Sequence, residues 1–171
     1  MHRVTLIGMP GSGKSAVGRI VASRLGWKFV DTDKSIEERY GLPLQALIDR
    51  VGEASFRRLE EETILALETS EPAVISTGGS VVYSDPAMQH LAAISTIVFL
   101  DACLDAILSH VALDAPRGIV GLPAGGLEEL FQERLPLYRH YAGVIVPLCP
   151  ETPEAAADKL LSGLPKDWQK T

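Results

Sequence analysis

The sequence predicts an α/β protein of three layers, α/β/α, built around a parallel sheet. Five short apolar runs are the first reason. Val4–Ile7, Lys28–Val30, Ala73–Ser76, Thr96–Leu100 and Gly143–Val146 are too short for helices and rich in Val, Ile and Phe. That composition suits interior strands covered on both faces. The second reason is what separates them: 15–25, 33–49, 51–69, 101–110, 126–141 and 153–162 read as helices. Alternating β and α segments give a sheet with helices on both sides and ligands at the carboxyl ends of the strands.

The chain has 171 residues, a length that predicts one domain, 1–171, with a substantial core. Sixteen basic against 22 acidic residues leave a net charge of −6, which disfavours nucleic acid or an anionic membrane as partner. Asp101 and Asp105 interrupt the best apolar stretch, so none reaches the roughly 20 residues a membrane span needs. The first strand begins at once, leaving no room for a signal peptide, and the expected compartment is the cytosol. Cys103 and Cys149 lie in apolar surroundings without a C-x-x-C motif, and buried thiols are expected rather than a disulfide. Size and charge suit a monomer.

The first run leads directly into Gly8-Met9-Pro10-Gly11-Ser12-Gly13-Lys14-Ser15, a complete G-x-x-x-x-G-K-S phosphate loop, and then a helix with Val17, Ile20, Val21 and Leu25 on one face. Gly8, Gly11 and Gly13 allow backbone N–H groups to turn inward around a phosphate, and the helix adds its positive end. Gly11, Ser12, Gly13, Lys14, Ser15 and Ala16 are therefore the nucleotide contacts, with Lys14 on the β- and γ-phosphates and Ser15 on Mg²⁺. These residues predict binding of a nucleoside triphosphate.

The second run ends in Asp31-Thr32-Asp33, whose carboxylates would face one site from an extended segment. One can serve the metal and the other accept a proton from an attacking hydroxyl; capping of the next helix by Asp33 is the plainer reading. Arg57 and Glu60 share a helical face beside Phe56, and a guanidinium held by a carboxylate can offer its other donors to an anion. Gly78-Gly79 end the third strand, where either a turn or a close approach to a small ligand explains them equally. Leu113–Gly126 lacks helical periodicity, and a loop this long is either disordered or a lid. Arg117 lies inside it, and Arg134 opens Arg134-Leu135-Pro136-Leu137-Tyr138. Pro165–Thr171 reads as a frayed polar end.

In order and spacing, G-x-x-G-x-G-K-S, D-T-D, G-E-x-x-F-R-x-x-E, G-G and R-x-P-L-Y resemble shikimate kinase from Thr5 to about Leu161. The resemblance implies a five-stranded parallel sheet in the nucleoside monophosphate kinase style, with a mobile lid at 111–126 and a substrate-binding helical region at 33–62. It implies transfer of the γ-phosphate of ATP, with Mg²⁺, to the 3-hydroxyl of shikimate, in the pathway to chorismate. By the same resemblance Ser15 and Asp31 serve the metal, and Ser76 is a polar position of the Walker-B-like strand. Asp33 is the base and binds the acceptor's hydroxyls. Arg57 and Arg134 clamp its carboxylate, with Glu60 holding Arg57. Gly78 and Gly79 approach it, Arg117 closes with Lys14 over the transferring phosphate, and Pro153 packs near adenine.

Three positions depart from the family pattern. The third glycine after the strand is Ser80, the lid reads Arg117-Gly118-Ile119-Val120 in place of Arg-Pro-Leu-Leu, and His110 takes a position where a basic residue stacks on adenine. Ser80 adds a side chain near the acceptor, and Gly118 implies a looser hinge. These changes leave two alternatives open: a kinase of another hydroxy acid such as gluconate, and a non-catalytic nucleotide-binding protein.

Overall fold

In the computed structural model, which describes residues 2–68, 70–113 and 118–169, the chain forms one five-stranded parallel sheet in the order β2-β3-β1-β4-β5. The strands are β1 (Arg3–Ile7), β2 (Lys28–Asp31), β3 (Ala73–Ser76), β4 (Thr96–Ala102) and β5 (Val144–Leu148). Every residue of β3 and four of the five in β1 are buried, so both faces of the central sheet are covered. Helix α1 (Lys14–Leu25) packs against α8 (Pro153–Gly163), while α5 (Asp85–Ile94) and α7 (Gly126–Tyr141) pack on β4; α6 (Leu104–Leu113) lies beside α7.

The sheet order puts β1 at the centre. Its chain leaves to one side through α1 and β2, returns to β3, and crosses to β4 on the other side. The crevice opposite the carboxyl end of β1 is thus a topological switch point, where ligands bind in open α/β sheets.

A second, smaller core stands apart from the sheet. Ile36 from α2 (Thr32–Tyr40), Leu47 and Ile48 from α3 (Leu44–Val51), and Phe56 from α4 (Glu53–Leu65) pack with Val120. The expected single helix over 33–49 is two helices. Gly41, at φ 65°, donates its N–H to Glu37 O, and Pro43 caps the next helix, so Gly-Leu-Pro stops one helix and starts another. The helix expected over 51–69 ends at Leu65, and Asp101 and Ala102 extend β4 rather than opening a helix.

Two elements carried no sequence expectation or the wrong one. Helix α5 is announced by Ser84, whose hydroxyl accepts from Ala87 N at 3.1 Å, with Pro86 in the first turn. The expected frayed tail instead forms a 3₁₀ turn at Lys166–Gln169, with the Trp168 ring 5.8 Å from Trp27 and 5.1 Å from His2. Burying an aromatic surface outweighs the polarity of its neighbours.

Candidate active site

The phosphate loop joins β1 to α1. Gly11 and Gly13 sit at φ 80° and 85°, a region that favours glycine. Gly8 is needed for a further reason: a Cβ there would lie 2.9 Å from Leu100 O. Helix α1 starts at Lys14 with Gly13 as its cap and no side chain on its first N–H groups, which leaves those donors facing the cleft. Lys14, 8% exposed, folds its ammonium over the loop, donating to Gly8 O at 2.9 Å and Met9 O at 2.8 Å.

Ser15 Oγ donates to Asp31 Oδ2 at 2.8 Å and lies 3.3 Å from Ser76 Oγ. Three oxygens from α1, β2 and β3 therefore meet beside the first turn of α1. One carboxylate with hydroxyls suits Mg²⁺, which takes most of its remaining ligands from water and substrate phosphates. No group of three or more His, Cys, Asp and Glu side chains able to hold a metal occurs among the described residues. Asp31 is also the N-cap of α2, accepting from Lys34 N at 3.3 Å. The capping expected of Asp33 belongs to Asp31, and Asp33 lies in the first turn of α2 rather than on an extended segment.

Asp33 faces the same cleft. Burial and then the neighbouring Asp31 carboxylate push its pKa up to about 6, while Lys14 opposes them. Gly78 explains the crowding, since a Cβ there would meet both Asp33 Oδ1 and Glu60 Oε1. Glu60 is 6% exposed, and burial raises its pKa to about 7 against the donation it receives from Ser80. Glu60 does not hold Arg57 by direct contact: its Oε2 accepts from Ser80 Oγ, and Arg57 Nε has no hydrogen-bond partner among the described residues. Ser80 has φ −86°, ordinary for any residue, and turns its hydroxyl into the core toward Glu60. The side chain expected to intrude on the acceptor is thus occupied elsewhere.

The two arginines converge. Arg134, 1% exposed, donates through Nη2 to Val120 O at 2.5 Å and through Nε to Tyr83 Oη at 3.2 Å. Arg57 stacks its guanidinium 4.4 Å from the Tyr83 ring centre, and Arg134 lies 5.1 Å from it. Both flank Gly121, where a Cβ would lie 2.7 Å from Arg57 Nη2 and 3.9 Å from Arg134 Nη2. Gly79 ties this pair to the phosphate loop, because its Cβ would stand 3.0 Å from Arg134 Nη1 and 2.9 Å from Pro10 Cδ. A cavity of about 480 Å³ is lined by Lys14, Ser15, Asp31, Asp33, Gly79 and Ala16 together. Lys14, Arg19, Asp31, Asp33 and Glu37 share this cleft, while neither Arg57 nor Arg134 lies on its wall; charges of this density are arranged for chemistry on a charged ligand.

Sequence reasoning missed Tyr83 and Tyr138. The first supplies the ring shared by both guanidiniums; the second donates to Gly79 O at 2.7 Å. Tyr138 closes the R-x-P-L-Y motif, so its spacing was visible; Tyr83 sits in a 3₁₀ turn that no periodicity marks. Arg117 lies outside the described residues. The following Gly118 is not a loose hinge: its Cβ would meet Ile48 Cδ1 at 2.7 Å, and Val120 is 3% exposed in the second core.

A second cavity, of about 300 Å³, opens on the other side of the phosphate loop, between Gly11, Val17, His110, Pro153 and the two cysteines. His110 Nδ1 lies 2.8 Å from Gly11 O. Cys103 and Cys149 are not free thiols but a disulfide, with Cα atoms 5.3 Å apart. The sheet register explains this: Ala102 pairs with Leu148, so the next residue of each strand emerges beside the other. By chain entropy, a bridge between residues 46 apart stabilises by about 4 kcal/mol at most. Thermal melts with and without a dithiol reductant are expected to show a lower midpoint under reduction, and coincident melts would contradict this.

A phosphate loop at the switch point of a parallel sheet, sharing a cavity with Asp31, Asp33 and Gly79 and with Arg134 set against Gly79, defines a P-loop kinase. The shikimate kinase family model matches residues 10–165. A shikimate kinase of Paracidovorax citrulli is 45% identical over 147 residues, 84% of this chain and 80% of that protein. Among solved structures, shikimate kinase from Acinetobacter baumannii in complex with shikimate superposes with a TM-score of 0.86 at 29% identity, covering 95% of this chain and 92% of that one. Shikimate kinase from Aquifex aeolicus gives 0.81 at 30% identity, covering 99% of both. The chain belongs to the shikimate kinase family. The family's ATP and Mg²⁺ fit the phosphate loop and the Ser15–Asp31–Ser76 oxygens described above.

Proposed function

We propose that the protein transfers the γ-phosphate of ATP to the 3-hydroxyl of shikimate, giving shikimate 3-phosphate and ADP. The observation that carries this reading is the single cavity shared by the phosphate loop, Asp33 and Gly79, with Arg134 against Gly79. Lys14 exchanges the Gly8 and Met9 carbonyls for β- and γ-phosphate oxygens, and the N–H groups of residues 11–16 cradle them. Ser15 and Asp31, whose oxygens meet at 2.8 Å, would hold Mg²⁺, and the ion would supply positive charge to the phosphates. Arg57 and Arg134 receive the acceptor carboxylate, and Gly78 and Gly79 let it approach the backbone. Asp33 accepts the 3-hydroxyl proton as that oxygen bonds to phosphorus and the bond to the β-phosphate oxygen breaks. Positioning and charge supply most of the catalysis, because phosphoryl transfer asks little covalent chemistry of the protein.

In this reading Pro153 and His110 line the adenine cavity, residues 33–62 form the acceptor-binding region, and 111–126, with Arg117, close over the phosphates. Closure would exclude water that otherwise hydrolyses ATP. The protein would work as a cytoplasmic monomer without nucleic acid or membrane partners, and in that reducing compartment the Cys103–Cys149 pair would stand largely as thiols. ADP release measured with Mg²⁺-ATP, with and without shikimate, tests the assignment. Shikimate-dependent release is expected. Release dependent instead on gluconate, or ATP binding without turnover of either acceptor, would overturn it.

A further inference from the structure

After the third strand the chain reads Gly78-Gly79-Ser80. The first two cannot change. A Cβ on Gly78 would collide with two carboxylates, and one on Gly79 with Pro10 and Arg134. The third position is different in kind, because its backbone tolerates any residue and its hydroxyl finds a partner that otherwise has few. Glu60 is nearly enclosed, feels the charges of Asp33, Arg134 and Arg57, and makes no direct ion pair with either guanidinium among the described residues.

We propose that Ser80 is a positioning residue for the acceptor: by donating to Glu60 Oε2 it holds Oε1 against Gly78, beside Asp33, and so fixes the carboxylate around which the acceptor's hydroxyls and the paired guanidiniums are arranged. The reading rests on the acceptor site proposed above. A buried carboxylate needs donors to stay ionised and in place, and Ser80 is the one side-chain donor to Glu60 among the described residues. Above pH 7, where Glu60 is mostly ionised despite its burial, donation into this enclosed charge is also the stronger class of hydrogen bond. Without it the carboxylate is free to rotate toward Arg57, whose Nε lacks a partner among the described residues. The acceptor would then meet a guanidinium already engaged. Ser80 lines neither cavity beside the phosphate loop and bonds to Glu60 rather than to Ser15, Asp31 or Ser76, so its influence should fall on the acceptor side of the reaction.

Kinetics of Ser80→Ala and Ser80→Thr against the parent enzyme test this. Ser80→Ala is expected to raise KM for shikimate about tenfold, by more than it lowers kcat, with KM for ATP unmoved. Ser80→Thr, which keeps the hydroxyl, should recover most of that loss. In a Glu60→Gln background the effect of Ser80→Ala should shrink to about twofold or less, since the charged acceptor is gone. This cycle decides the matter if the extra methyl of Thr prevents folding. Independent, multiplicative effects of the two substitutions, or equal rises in both KM values, would overturn the proposal. A parent enzyme without shikimate-dependent ADP release would instead overturn the assignment of the reaction itself.

Discussion

Asp33→Asn is expected to lower kcat by about three orders of magnitude while leaving ATP binding intact, within the range that a positioned base contributes. The amide matches the carboxylate in shape, so the substitution removes the proton acceptor without opening a hole. Its neighbours make Asp33 suited to this task. Burial and Asp31 push its pKa up to about 6, which brings its basicity closer to neutrality than an exposed aspartate's. kcat/KM should accordingly fall as pH drops through about 6, and this acid limb should be absent from the residual activity of the variant. The same shift has a consequence for stability. A carboxyl whose folded pKa exceeds its unfolded value binds protons more readily when folded, so its stability contribution is present at low pH and lost as pH rises from about 4 to about 6. At pH 8 the ionised group is a burden, and Asp33→Asn should melt higher than the parent without substrates, by on the order of 1–3 kcal/mol. Near-normal kcat in this variant would exclude Asp33 as the base. A lowered melting temperature would exclude the burial argument.

The parts of the molecule that were legible in the sequence are those encoded by neighbours in the chain. Gly8 to Ser15 form a contiguous loop whose geometry follows from three glycines and a helix start, and the five apolar runs became the five strands. Asp31 and Asp33 were legible as a pair, yet not as cap and cleft residue, because that depends on where β2 gives way to α2. Arg57 and Arg134 lie 77 residues apart, and only family resemblance, not spacing, could join them. The structure adds the reason they meet, the Tyr83 ring between them. The disulfide was illegible because it depends on the register of β4 against β5, a long-range property that no local pattern of Cys103 or Cys149 reports. Ser80 was misread for a related cause. A residue that breaks a glycine pattern looks intrusive until its φ and its partner are known.

The two arginines should separate under mutation, although both are proposed to bind the same carboxylate. Arg134→Ala is expected to raise KM for shikimate about 100-fold and to destabilise the fold. Arg134 is enclosed, and its removal leaves the Val120 carbonyl without its Nη2 donor and empties a space beside Gly79 and Tyr83. Loss of a buried, hydrogen-bonded cation and its packing costs about 2–4 kcal/mol, and the lost charge-assisted contact to substrate accounts for the kinetic effect. Arg134→Lys should recover little, because a single ammonium cannot reach Val120 O, Tyr83 Oη and a ligand carboxylate in the geometry of the guanidinium fork. Arg57→Ala should also raise KM, by about tenfold, but without a comparable loss of stability. Its Nε is buried with no partner among the described residues, so truncation removes an unmet donor along with the stacking on Tyr83. Kinetics combined with denaturant melts of the three variants check this. Equal destabilisation by both alanine substitutions would show that Arg57 is anchored as firmly as Arg134. An unchanged KM in Arg134→Ala would remove the carboxylate clamp from the proposed site altogether.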